Sequence, residues 1–175
     1  MKRKAQRELQ AIAHHEAGHA VVAWRLGLKF RCVTIKSEGD SLGHVLNVRG
    51  PKWLNNELGV IWSVRVRLHA ERYIVYGMAG QIAEEKFRGR RPHPCAHSDD
   101  DRSAIVLAMR AIPGSERTVN AFLHYCFESA RDIVDSQWPQ VTAVAAALLA
   151  QYTLTYEETL EVIMPGAKAK AKAEK

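Results

Sequence analysis

The chain has 175 residues, 47% of them hydrophobic and 25% charged, a size and balance that suit one globular domain and exclude disordered, collagenous and solenoid classes. The net charge of +6 sits at the two ends, residues 2–8 and the tail after Pro165 carrying +3 each. The body is therefore neutral, and no nucleic-acid partner is expected. Three cysteines (Cys32, Cys95 and Cys126) with no CxxC pair exclude a disulfide framework and point to a cytoplasmic protein.

Apolar residues at helical spacing from about Arg7 to Leu26, stopped by Gly27, predict a first helix. Alternation over Arg31–Lys36 and His44–Arg49, on either side of a Ser37–Ser41 turn, predicts a hairpin. Its second strand, at Val45–Val48, is a candidate edge for holding an extended peptide. Helical patterns then run over 55–76 and 78–88, broken at Gly77, and Gly89–His97 with its two prolines reads as a loop. Ser98 and Asp101 are spaced as a capping box opening a helix to Ala111, which Pro113-Gly114 ends. Three more helices are predicted near 116–136, 139–152 and 156–164, the last capped by Thr155 and Glu158. The fold class is mainly α with a small β-hairpin or sheet (α+β), in one domain over residues 1–164. Residues 165–175, rich in Lys and Ala, form a low-complexity tail. The most apolar window, Val141–Ala150, is about half a membrane span, so none is expected.

His15-Glu16-Ala17-Gly18-His19 places an HExxH pattern on the first helix. Residues four apart share one helix face, so His15 and His19 can hold one metal ion, and Glu16 can reach a water beside it. Zinc acidifies such a water, and a neighbouring carboxylate then takes its proton as general base. Two histidines leave such a site short of a protein ligand. The residues after His19 supply neither the glycine nor the third histidine of a metzincin. On composition the third ligand is open among Glu71, Glu84, Glu85 and the Cys95–Asp101 segment. The three aspartates Asp99, Asp100 and Asp101 also suit a helix's first turn without any metal.

His14–Ala20, followed by Val33-Thr-Ile35 and Leu42-Gly-His44, resembles the peptidase domain of the FtsH family of zinc metalloproteases, peptidase family M41. Gly80-Gln-Ile-Ala-Glu84-Glu85 is similar to that family's G-R-x-A-E-E helix, and Ser98–Ala104 to its S-N-D-x-x-x-A segment. The resemblance implies a zincin-like active-site helix followed by a helical C-terminal half. It implies a Zn2+ ion held by His15, His19 and Asp100, with Glu16 as the catalytic base. Glu84 or Glu85 would orient a ligand from behind. The implied activity is a metalloendopeptidase acting on extended or unfolded polypeptides, arranged as a hexamer.

The sequence also departs from that family. His14 stands where an aromatic residue is usual, Ser37-Glu-Gly-Asp40 replaces a Pro-Arg-Gly hairpin, and Ala79 and Gln81 replace a glycine and an arginine. Members normally carry a membrane anchor and an AAA ATPase module, whereas no GxxxxGK[ST] pattern occurs in this sequence. Either a separate AAA ATPase partner feeds the peptidase, or it cleaves substrates that are already unfolded. The alternative reading is a catalytically silent zinc-binding or regulatory scaffold module of the same fold. Retention of Glu16 argues against it.

Overall fold

The computed structural model describes residues 2–36, 44–46, 63–90, 99–112 and 114–165, the backbone alone for 2, 44, 46 and 99–102. The elements run α1 (Lys2–Arg25), β1 (Cys32–Thr34), β2 (His44–Leu46), α2 (Val64–Phe87), α3 (Asp99–Ala111), α4 (Glu116–Ser136), α5 (Trp138–Gln151), β3 (Thr153–Thr155) and α6 (Tyr156–Ile163). The fold is mainly helical with a small antiparallel sheet.

α1 is the central element, packed between α2 and α5. Its buried apolar residues are small: Ala11, Ala13, Ala17, Ala20, Val21, Val22 and Ala23 are all fully inaccessible. Small side chains let helix axes approach closely, and at Gly18 the approach is extreme. A Cβ there would lie 2.6 Å from the Ala83 Cβ and 2.7 Å from the Ala79 carbonyl oxygen. Gly27 ends α1 in a left-handed conformation (φ 66°), as a helix C-terminal glycine commonly does.

α2 is one continuous helix, which corrects the two helices expected on either side of Gly77. Ser63 opens it, its hydroxyl accepting from the Val66 amide. A mid-helix glycine costs only about 1 kcal/mol relative to alanine. Here Ile74, Val75, Met78, Ala79, Ile82 and Ala83 bury against α1, α3 and α4 on both sides of it. Packing outweighs the local preference. The expected helix start near 55 and the Ser98 cap lie outside the described residues.

The sheet has the order β2-β1-β3, Val33 standing opposite Val45 on one side and Leu154 on the other. β3 was not expected from the sequence, being three residues squeezed between two helices. It forms because Tyr152 takes a left-handed conformation (φ 64°) at the end of α5, reversing the chain onto β1. The Tyr152 carbonyl then accepts from the Ile35 amide at 2.9 Å and from the Thr34 hydroxyl at 3.1 Å. Thr155 ends the strand and caps α6 in a full capping box with Glu158, as its spacing predicts. Among the described residues no helix is long and apolar enough to cross a membrane.

Candidate functional site

Residues 15–19 lie in the middle of α1, where α2 crosses it. His15 and His19 are one turn apart, and their Nε2 atoms face each other at 3.1 Å. Each ring is gripped from behind by α2. His19 Nδ1 lies 2.9 Å from the Tyr76 carbonyl oxygen, and His15 Nδ1 lies 3.1 Å from Glu84 Oε2. A carbonyl oxygen can only accept, so His19 Nδ1 carries the proton. Glu84 is held below the usual carboxylate range, first by the hydrogen bond from His15 and then by that from Arg88, against the opposing effect of burial. It is therefore an ionised acceptor, and His15 also donates through Nδ1.

The consequence is at the opposite nitrogens. Two neutral imidazoles protonated at Nδ1 present lone pairs at Nε2, and lone pairs facing across 3.1 Å repel unless a proton or a cation lies between them. Two nitrogens bound to one tetrahedral zinc, each at about 2.0–2.1 Å, stand roughly 3.3 Å apart. Donor chemistry and spacing both fit such an ion.

Gly80 allows the arrangement. A Cβ at that position would lie 2.2 Å from His19 Nε2 and 2.6 Å from His15 Nε2, inside both rings' contact distance. The space in front of the two nitrogens exists because residue 80 has no side chain. Glu16, the intervening carboxylate, is only 5% exposed, on the same helix and one residue from His15. His14 lies away from the pair. It is buried, stacked on Phe87 at 4.1 Å and on Trp138 at 5.7 Å between ring centroids, with Nδ1 donating to the Gln10 carbonyl. Burial lowers its pKa. It packs as an aromatic ring would.

Of the remaining candidates, Glu85 is turned to Arg90, at 3.9 Å, and Glu71 accepts from the Tyr125 hydroxyl at 3.0 Å. Asp100 falls in the first turn of α3, a helix packed on α2. Its side chain, like Cys95 and His97, lies outside the described residues. Among the described residues no group of three His, Cys, Asp or Glu side chains is placed to hold a metal ion. Sequence reasoning missed three contributors: the Tyr76 carbonyl, the bare α-carbon of Gly80, and Arg88, whose Nε donates to Glu84 Oε1 at 2.9 Å. Only Gly80 left a signal, as the first residue of the segment ending in Glu84-Glu85.

Fold and site together describe a mainly helical α+β protein with a pair of histidines oriented across one helix turn. The chain is similar to the ATP-dependent zinc metalloprotease FtsH of Mycoplasma mobile, 29% identical over 107 residues that make up 60% of this chain and 14% of that protein. The likeness is distant and partial, and suggests at most a relation to FtsH. No protein-family model matches the chain.

Proposed function

We propose that the protein is a zinc-dependent metalloendopeptidase acting on extended or unfolded polypeptides. The observation that carries this reading is the facing pair of Nε2 atoms at 3.1 Å, each ring held in its Nδ1–H form by α2. His15 and His19 would hold the zinc, and Asp100 is proposed as the third ligand on its place in the S-D-D segment that resembles the family's. Zinc bound there supplies Lewis acidity toward a scissile carbonyl and toward the proton of an attacking water.

The protein's own residues do the rest. Glu16 takes the water's proton at its carboxylate and delivers it to the departing amine nitrogen, leaving the carboxylate regenerated. Its burial keeps bulk water from screening that exchange. The Nδ1 protons of His15 and His19 are committed to Glu84 and Tyr76, which leaves Nε2 of each ring as the nitrogen offered to the ion. A separate AAA ATPase would present folded substrates, and the proposed compartment is the cytoplasm.

The test is zinc content by elemental mass spectrometry together with cleavage of an unfolded protein. Wild type should carry about one zinc per chain. Glu16→Gln should keep zinc and fold while losing at least about 100-fold in cleavage rate, and Asp100→Ala should lose most of the metal. A wild-type chain that takes up no zinc when supplied with it would overturn the reading.

A further inference from the structure

Arg88 caps the C-terminal end of α2, one turn beyond Glu84. Its Nε donates to Glu84 Oε1 at 2.9 Å, while its two terminal nitrogens grip Glu8 on α1, at 3.1 Å to Oε1 and 2.6 Å to Oε2. One planar group thus engages two carboxylates on two helices, a geometry that a lysine's point charge cannot copy. Glu84 has its other oxygen, Oε2, on His15 Nδ1. Each oxygen of Glu84 is therefore assigned to one partner, and turning the carboxylate to please one would break the other.

We propose that Arg88 is a positioning residue for the candidate metal site, clamping Glu84 and Glu8 together and thereby fixing the tautomer and angle of the His15 ring. The inference rests on the reading of His15 and His19 as metal ligands and extends it to a residue two contacts away. Glu8 stands seven residues before His15, two turns along the same face of α1. The clamp therefore holds α1 at two points, directly through Glu8 and through Glu84 at His15. The N-terminal turns of α1, otherwise exposed, become part of the support for the site. The Arg88 side chain is 16% exposed and Glu84 28%, so both are partly withdrawn from water. With the guanidinium gone, Glu84 is free to swing outward, and His15 loses the acceptor that selects its Nδ1–H form.

The test uses the full chain with two readouts: nitrogen-15 NMR of the His15 ring without metal, and zinc affinity by competition with a chromophoric chelator. Wild type should show His15 protonated at Nδ1. Arg88→Ala should show a mixture with the Nε2–H form and bind zinc about tenfold more weakly, as loss of a ligand's hydrogen-bonded support commonly does. Glu8→Gln should shift both readouts in the same direction by less, and Arg88→Lys should not restore them. Wild-type tautomer and affinity (within about twofold) in both Arg88→Ala and Glu8→Gln would overturn the proposal, as would full rescue by lysine. Should Arg88→Ala fail to fold, Glu8→Gln and Arg88→Lys decide the matter alone. If wild type binds no zinc, the peptidase reading fails, while the tautomer in the metal-free chain still decides whether the clamp acts on His15.

Discussion

The α1–α2 crossing and the C-terminal helices α4–α6 are made from different materials. At the crossing the buried residues are alanine, glycine and a few valines and isoleucines, interrupted by two histidines, a glutamate and their partners. In α4–α6 the buried positions include larger apolar side chains, such as Phe122, Phe127, Leu148 and Ile163, and no histidine or carboxylate. Hydroxyl groups cap α4 and α6 through Ser115 and Thr155. The first region spends its contacts on bringing backbones close enough to orient polar groups, the second on removing hydrocarbon from water. Added atoms should therefore harm the first region, and removed atoms the second.

Gly80→Ala should produce the largest effect. The new methyl would overlap both Nε2 atoms, so the histidines must turn out of their present orientation. Zinc uptake should fall at least about 100-fold, read by elemental analysis, while circular dichroism stays helical. Unchanged zinc uptake would mean the two rings have other room, and the comparison between regions would lose its strongest support. Leu148→Ala is the complementary case. This fully buried side chain should cost about 2–5 kcal/mol in denaturant unfolding with little change in zinc affinity per folded chain.

His14 tests the crossing through pH. Its folded pKa is lowered by burial, so below about 6.5, the range where free histidine titrates, the unfolded chain binds a proton that the folded chain does not. The contribution of His14 should be constant above that range. It should fall on acidification down to the depressed pKa, with a slope of at most about 1.4 kcal/mol per pH unit. His14→Phe, keeping the stack on Phe87 and Trp138, should flatten that part of the profile. A wild-type and mutant pair with parallel profiles would show that His14 does not titrate differently on folding. Thr155→Ala is the mildest change, expected to cost about 1 kcal/mol in thermal melts and to leave the metal site untouched.

Much of this architecture was legible in the chain itself. Helical spacing marked α1, α4, α5 and α6, and the Thr155–Glu158 pair marked the start of α6, because caps and amphipathic faces are local properties. The spacing of His15 and His19 likewise sets them on one face, a matter of helix geometry alone. What could not be read depends on contacts between distant segments. Gly77 looks like a break until the residues packed around it are known, and β3 has no pattern of its own, only a partner in β1. Glu84 and Glu85 were equivalent in sequence. Only the packing of α1 on α2 sets Glu84 against His15, while Glu85 faces Arg90 farther along its own segment. The reach of Arg88 is of the same kind, since nothing local announces that Glu8 lies within it.

The grip on His19 has a further consequence for anyone who surveys the protein by substitution. Its acceptor is the main-chain oxygen of residue 76, which every amino acid supplies. Exchanging Tyr76 removes the ring that packs 5.1 Å from His19 but leaves the oxygen in place. Within α2 that same carbonyl is the helical partner of the Gly80 amide, four residues on. One turn of backbone thus both orients the imidazole and clears the space before it. An alanine scan would credit residue 80 with the whole effect and record residue 76 as tolerant, although half of the device is built there.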